Sequence, residues 1–115
     1  MIDLAIKKIN PNAEFTINAD DIDQITWLSG TNPIAKAEIE AQLPIVEFEF
    51  ALANLRAERN KDLQESDWTV LQDNPLTPAK RSEWMVYRTE LRNITQGLNT
   101  VEDINNIDYP DKPNG

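Results

Sequence analysis

The sequence predicts a mainly α protein with a small α+β N-terminal appendage: an antiparallel helical hairpin packed with a short β-hairpin. Three observations predict it. Apolar residues recur at 3-4-3 spacing in two separate stretches, Ile45 to Leu55 and Trp84 to Leu98, the mark of helices with one buried face. About twelve residues, 66–77, join the two stretches, a connection that suits antiparallel neighbours. Ahead of them lie two short runs of β-branched and aromatic residues, Glu14–Ile17 and Gln24–Leu28, which suit a pleated, half-buried surface.

Taken in order, residues 1–34 read as a small α/β appendage. Leu4 to Ile9 suits a short helix, which Asn10-Pro11-Asn12 ends. The two strand-like runs are joined by Asn18–Asp23, and Ser29-Gly30-Thr31-Asn32-Pro33 is a turn. A two-stranded hairpin is marginal alone and must lean on other surfaces.

Residues 35–97 read as the helical hairpin. A first helix of about two turns runs from Ala35 toward Gln42, and Pro44 either kinks it or opens a new helix. Ala35 is a poor cap, so Asn32 is the nearer candidate. Ile45, Phe48, Leu52 and Leu55, widened by Val46, Ala53 and Ala57, set an amphipathic helix to about Glu65. For the second long helix, Thr77 suits the N-cap, Pro78 the first turn and Gly97 the C-terminal cap. Its stripe is Trp84, Tyr87, Leu91, Ile94 and Leu98, with Trp68 and Leu71 expected to fold over the open end. Residues 98–115, with acidic-Asn clusters and two prolines, read as an extended acidic tail.

The bulk numbers exclude more than they assign. At 115 residues the chain is one domain, or one domain with an appendage, and its core must be thin. Twenty acidic against eleven basic residues give a net charge of -9, which disfavours nucleic acid and anionic membranes as partners. No stretch approaches a membrane span, and the start lacks the order of a signal peptide. With no histidine and no cysteine, the usual general base, the commonest metal ligand and thiolate chemistry are all missing. No catalytic residue, cofactor site or metal site is expected, so the chain is not read as an enzyme. Asp20, Asp21 and Asp23 lack the spacing and central glycine of a calcium loop and read as turn acids. Asn93-Ile94-Thr95 matches a glycosylation sequon but falls inside an expected helix.

The charge is uneven. Residues 66–97 carry four basic and four acidic groups, whereas 1–34, 35–65 and 98–115 are each at -3. The balanced block holds the residues with something to offer a partner. Trp68 and Trp84 are either core aromatics or binding anchors. Arg81, Arg88 and Arg92, at i, i+7 and i+11, fall on one side of the last helix. Either they pair with Glu47, Glu58 or Asp62, or they form a guanidinium row for acidic groups of a partner or of the chain's own tail.

From Arg59 to Gln96 these residues stand in a specific order: Arg-Asn, then Ser-Asp-Trp-Thr, Pro-Leu-Thr, Lys-Arg, Trp-x-x-Tyr-Arg and Leu-Arg-Asn-Ile-Thr. That order resembles the tail-assembly chaperone family of tailed bacteriophages. Tyr109-Pro110-Asp111-Lys112-Pro113 resembles the aromatic-Pro-x-x-Pro ending of that family, with Tyr109 where tryptophan is common. It is either a disordered terminus or a docking segment of polyproline-like form. The resemblance implies a chaperone that binds and shields a phage tail or tail-fibre protein in the cytoplasm of the infected cell. The candidate partner-binding residues are Trp68, Arg81, Trp84, Arg88, Arg92 and Tyr109. A shorter resemblance, Trp27-x-x-Gly30-Thr31-x-Pro33-Ile34, is to small phage virion-associated proteins. It implies the alternative of a structural subunit, an adaptor or tip cap that stays in the particle. The client, the stoichiometry and the oligomeric state are not readable from the sequence.

Overall fold

Helix α1, Ile2–Ile9, forms because Ile2, Ala5 and Ile6 recur on one face and are buried, while Asp3, Leu4, Lys7 and Lys8 face outward. It ends at Asn10, whose backbone turns extended before Pro11. Strands β1, Glu14–Ile17, and β2, Ile25–Leu28, pair antiparallel with Phe15 opposite Trp27 and Ile17 opposite Ile25. The four half-buried residues therefore share one face of the hairpin, with the Phe15 and Trp27 rings 5.8 Å apart. The loop between the strands places Ala19 and Asp20 at positive φ, 56° and 52°. Asn18, Asp21 and Gln24 close it with backbone hydrogen bonds of 2.9–3.1 Å. Asp21 accepts from the Asp23 N–H at 2.9 Å and Asp23 pairs with Lys36 at 3.1 Å, so the acids of this loop hold a turn.

In this computed structural model, which describes residues 1–114, the chain then enters a single helix, α2, Lys36–Glu65. Pro44 lies inside it and neither ends it nor opens another. A proline there removes one N–H···O bond, about 3 kcal/mol of helix stability. The helix persists because Ile39 and Val46, on either side of Pro44, are both buried in a core with Ile2, Ala5, Ile6 and Ala13. Ala35 holds the cap position, its carbonyl accepting from Glu38 and Ile39, and Asn32 does not serve.

The expected stripe starts out of phase. Ile45 is 43% exposed and Val46 is buried in its place, Phe48 and Leu52 are half-buried, and Leu55 is buried. The chain divides into two compact units, Met1–Phe50 and Ala51–Gly115, and the division falls within α2. Val46 belongs to the first unit and Leu55 to the second, and their nine-residue spacing is not one a single helical stripe produces.

The second unit continues through a 3-10 turn, Asp67–Val70, to α3, Pro78–Arg92. Thr77 caps α3 through its hydroxyl, which accepts from the Lys80 N–H at 3.2 Å, with Pro78 in the first turn. The helix ends at Arg92 rather than at residue 96. Asn93 to Gly97 make turns, and Gly97 takes the positive φ of 76° that closes them. Along α3 the face Trp84, Tyr87, Arg88 and Leu91 is buried. Trp84 meets Trp68 and Arg88 reaches back to Leu63, so later residues of α3 meet earlier ones of the preceding chain, as an antiparallel hairpin requires.

The C-terminal residues differ from an extended tail. Val101–Asn105 form a short helix, α4, because Thr100 and Asp103 make a reciprocal capping box. The Asn99 and Thr100 N–H groups bond the Asp103 carboxylate at 2.9 and 3.1 Å and hold its pKa below the usual value. Ile104, Ile107 and Tyr109 are half-buried and border a depression of about 340 Å3 with Ala51, Asn54, Leu55 and Glu58.

Candidate functional site

Helix α2 carries no basic residue in its last turn, so its terminal carbonyls need another source of positive charge. Arg88, from α3, supplies it. Its Nη1 donates to the Leu63 carbonyl at 2.6 Å and to Ser66 Oγ at 2.7 Å, and its Nη2 pairs with Asp67 at 3.0 Å. Ser66 Oγ lies 2.8 Å from the Asp62 carbonyl, and Thr69 Oγ1 donates to the Ser66 carbonyl at 2.7 Å. Arg88 is 9% exposed. It is a structural tie across the hairpin, and it leaves the expected exposed guanidinium row. Its carboxylate partner is Asp67 in the connection, not Glu47, Glu58 or Asp62.

Three aromatic rings stack beside this tie. Trp68 meets Trp84 at 5.4 Å and 65°, and Trp84 meets Tyr87 at 5.7 Å and 70°, both the edge-to-face geometry that aromatic quadrupoles favour. Trp84 is buried, whereas Trp68 remains 38% exposed. Trp68 therefore folds over the end of the hairpin as expected, but Leu71 does not and is 58% exposed. Burial and the charges of Asp62, Glu65 and Glu58 push the Tyr87 pKa up.

Arg81 and Arg92 are both exposed. Arg81 reaches Asn74 Oδ1 at 3.4 Å, and Arg92 reaches Thr89 Oγ1 at 3.2 Å. Asn74 organises the connection, donating to the Thr69 and Leu71 carbonyls at 2.9 and 2.6 Å and accepting from the Leu76 N–H at 3.0 Å. Tyr109 is half-buried, and its hydroxyl donates to the Asp62 carboxylate. Of the six candidates, Trp68, Trp84 and Arg88 are brought together, Arg81 and Arg92 stay separate on the surface, and Tyr109 joins through Asp62.

Three participants were not singled out from the sequence, Ser66, Asp67 and Lys112, and Asp62, weighed there as an arginine partner, bonds Tyr109 instead. Ser66-Asp67 directly after a helix with an unsupported C-terminus was the available signal for two of them. Lys112 Nζ lies 6.0 Å from the Trp84 ring centre. Asp111, Lys112, Pro113 and Asn114 border a groove of about 670 Å3, with Val86, Tyr87 and Glu90 on its α3 side. Two buried donors, Trp84 Nε1 and Arg88 Nε, have no acceptor among the described residues. No cluster of acidic side chains that could hold a metal ion occurs among the described residues. The arrangement is an aromatic cluster with one partly exposed ring, Trp68, and two unpaired buried donors among the described residues.

The family model described as phage tail assembly chaperone protein matches residues 52–114. The chain belongs to this family. The match takes in more than half the chain, extends beyond the Arg59–Gln96 block on both sides, and reaches the Tyr109–Pro113 segment. It nearly coincides with the second compact unit, Ala51–Gly115. No curated protein and no solved structure matches the chain. Among the described residues, no helix of this phage tail assembly chaperone family member is long and apolar enough to cross a membrane.

Proposed function

We propose that this chain binds a phage tail or tail-fibre protein before assembly and shields its apolar surface and strand edges, in the cytoplasm of the infected cell and without catalysis. The observation that carries the reading is the family match over 52–114, the unit that holds the Trp68–Trp84–Tyr87 stack. Unassembled tail polymers and fibres present surfaces that self-associate. A chaperone with a net charge of -9 keeps the complex soluble once it covers them.

Trp68, Arg81 and Arg92 are the exposed contact residues in this reading, since aromatic and arginine anchors supply most interface energy. Trp84 supports Trp68 from below. The test is co-expression with the tail protein encoded by the neighbouring gene. That protein should be insoluble alone and soluble with this chain. The double change Arg81→Ala/Arg92→Ala should reduce its recovery severalfold while the thermal melt stays within about a degree, because exposed polar contacts contribute little. Undiminished recovery with the double variant would remove the arginines from the interface. A client equally soluble without this chain would remove the function.

A second reading has one observation in its favour: Met1–Phe50 has a core of its own and lies wholly outside the family match. A unit of that kind could anchor the chain in the finished particle as an adaptor or tip cap. Mass spectrometry of purified virions separates the readings, a stoichiometric copy number supporting the subunit.

A further inference from the structure

Two features of the second unit meet at the α3 groove beneath the C-terminal segment. The segment itself is held by exchangeable contacts. Tyr109 donates to Asp62, Lys112 sits over Trp84 at 6.0 Å, and Pro113 and Asn114 border an open groove. On the groove wall, Val86 is 57% exposed, and Glu90 beside it makes no ion pair among the described residues. The wall thus offers apolar surface and a free carboxylate together.

We propose that Tyr109–Asn114 is a self-docked plug in the client groove, and that the client element replacing it is an extended, proline-containing segment bearing a cation. This deepens the shielding reading and rests on it. The plug shows which chemistry fits: a hydroxyl donor for Asp62 and a cation for the Trp84 face. A client segment adds what the plug lacks, an apolar side chain for Val86. Extended proline-rich segments suit such a site because little ordering entropy is lost on binding. The plug keeps an aromatic surface covered until a client arrives.

The probe is a labelled synthetic peptide of this chain's own residues 106–115, added to the full-length protein. A short tether holds the plug at an effective concentration on the order of 1 mM. If the plug is closed about nine-tenths of the time, the peptide should bind a vacated groove with a Kd on the order of 0.1 mM and wild type about tenfold more weakly. The vacated form is Tyr109→Ala/Lys112→Ala. Tyr109→Phe, which keeps the ring and removes only the donor, should move affinity the same way by less. Adding Asp62→Ala to the double variant should weaken peptide binding. Equal binding to wild type and both variants, or no binding to any at about 1 mM peptide, overturns the plug.

In co-expression with the neighbouring tail protein, the double variant should capture more client than wild type. Equal capture overturns this proposal and leaves the shielding reading standing. No capture by either protein sinks both. A wild-type dimer that the double variant cannot form would assign the groove to a second copy's segment and overturn the client as occupant.

Discussion

Arg88 donates to Ser66 Oγ at 2.7 Å across 22 residues of sequence, and the pair closes the C-terminal end of α2 onto α3. The same guanidinium takes up the Leu63 carbonyl and the Asp67 carboxylate. An arginine expected on the surface is therefore part of the fold. Arg88→Ala should lower stability by about 2–3 kcal/mol, since the charge-assisted hydrogen bonds to the Leu63 carbonyl and the buried Ser66 hydroxyl are lost. Asp67→Asn should cost less than about 1 kcal/mol, because the Asp67 side chain is largely exposed. Urea denaturation of both variants checks this. Comparable losses would mean that the ion pair, not the buried donors, holds the hairpin.

Local rules were legible and long-range ones were not. Thr77-Pro78 starts α3 because a cap and a first-turn proline act within four residues. The strand pair was legible for the same reason, its β-branched runs and its turn being adjacent. Arg88 was misplaced because its partners lie 21, 22 and 25 residues away, and helical spacing alone cannot tell a buried arginine from an exposed one. The capping box of α4 was present as Thr100 and Asp103, but an acidic, asparagine-rich setting reads as tail. Of the candidate site, the aromatic pair was legible and the tie of Asp62 to Tyr109 was not, since 47 residues separate them.

Pro44 offers a direct measure of a local rule overruled. Its ring leaves the Glu40 carbonyl without its helical donor, yet α2 runs through. Pro44→Ala should stabilise the protein by about 1–3 kcal/mol, less whatever the proline gains by restricting the unfolded chain. A higher denaturation midpoint with an unchanged slope is the expected result. A lower midpoint would show that the first unit needs the geometry proline imposes.

Leu91 is 0% exposed on α3, between the arginine tie and the turns that follow. Leu91→Ala should cost about 2–5 kcal/mol, a large fraction of the stability of so small a core. Leu71→Ala, on an exposed position of the connection, should change stability by no more than about 0.5 kcal/mol. Equal effects at the two sites would mean that the buried face of α3 has been assigned wrongly.

Truncation after Asp103 tests whether the C-terminal residues belong to the folded unit. The sequence alone suggests that residues 104–115 are dispensable. Ile104, Ile107 and Tyr109, however, are half-buried, and Tyr109 is bonded to α2. Losing about 1–2 kcal/mol of such contacts should lower the melting temperature by about 4–16 °C in a domain this small. An unchanged melt would make these residues passengers.

The two tyrosines carry the last prediction. Burial, ahead of the Asp62 and neighbouring glutamate charges, raises the pKa of both Tyr87 and Tyr109 above the ordinary 10.0. Tyr109 is further held protonated by its bond to Asp62, where a tyrosinate would face a carboxylate. A phenol whose folded pKa is raised contributes stability fully present below pH 10, and that stability is lost as pH climbs from 10 toward the folded value. Stability should therefore be flat with respect to these groups near neutrality and fall in the alkaline range. Because the chain has only two tyrosines, the tyrosinate absorbance reads them directly. In the folded protein it should rise little at pH 10 and then appear together with the loss of helical circular dichroism. Tyr109→Phe should make the alkaline loss of stability shallower, since the native and unfolded states would then differ by one fewer proton. A tyrosinate signal that develops smoothly around pH 10 while the helices remain intact would show that neither phenol is held by the fold, and the Tyr109–Asp62 tie would not exist in solution.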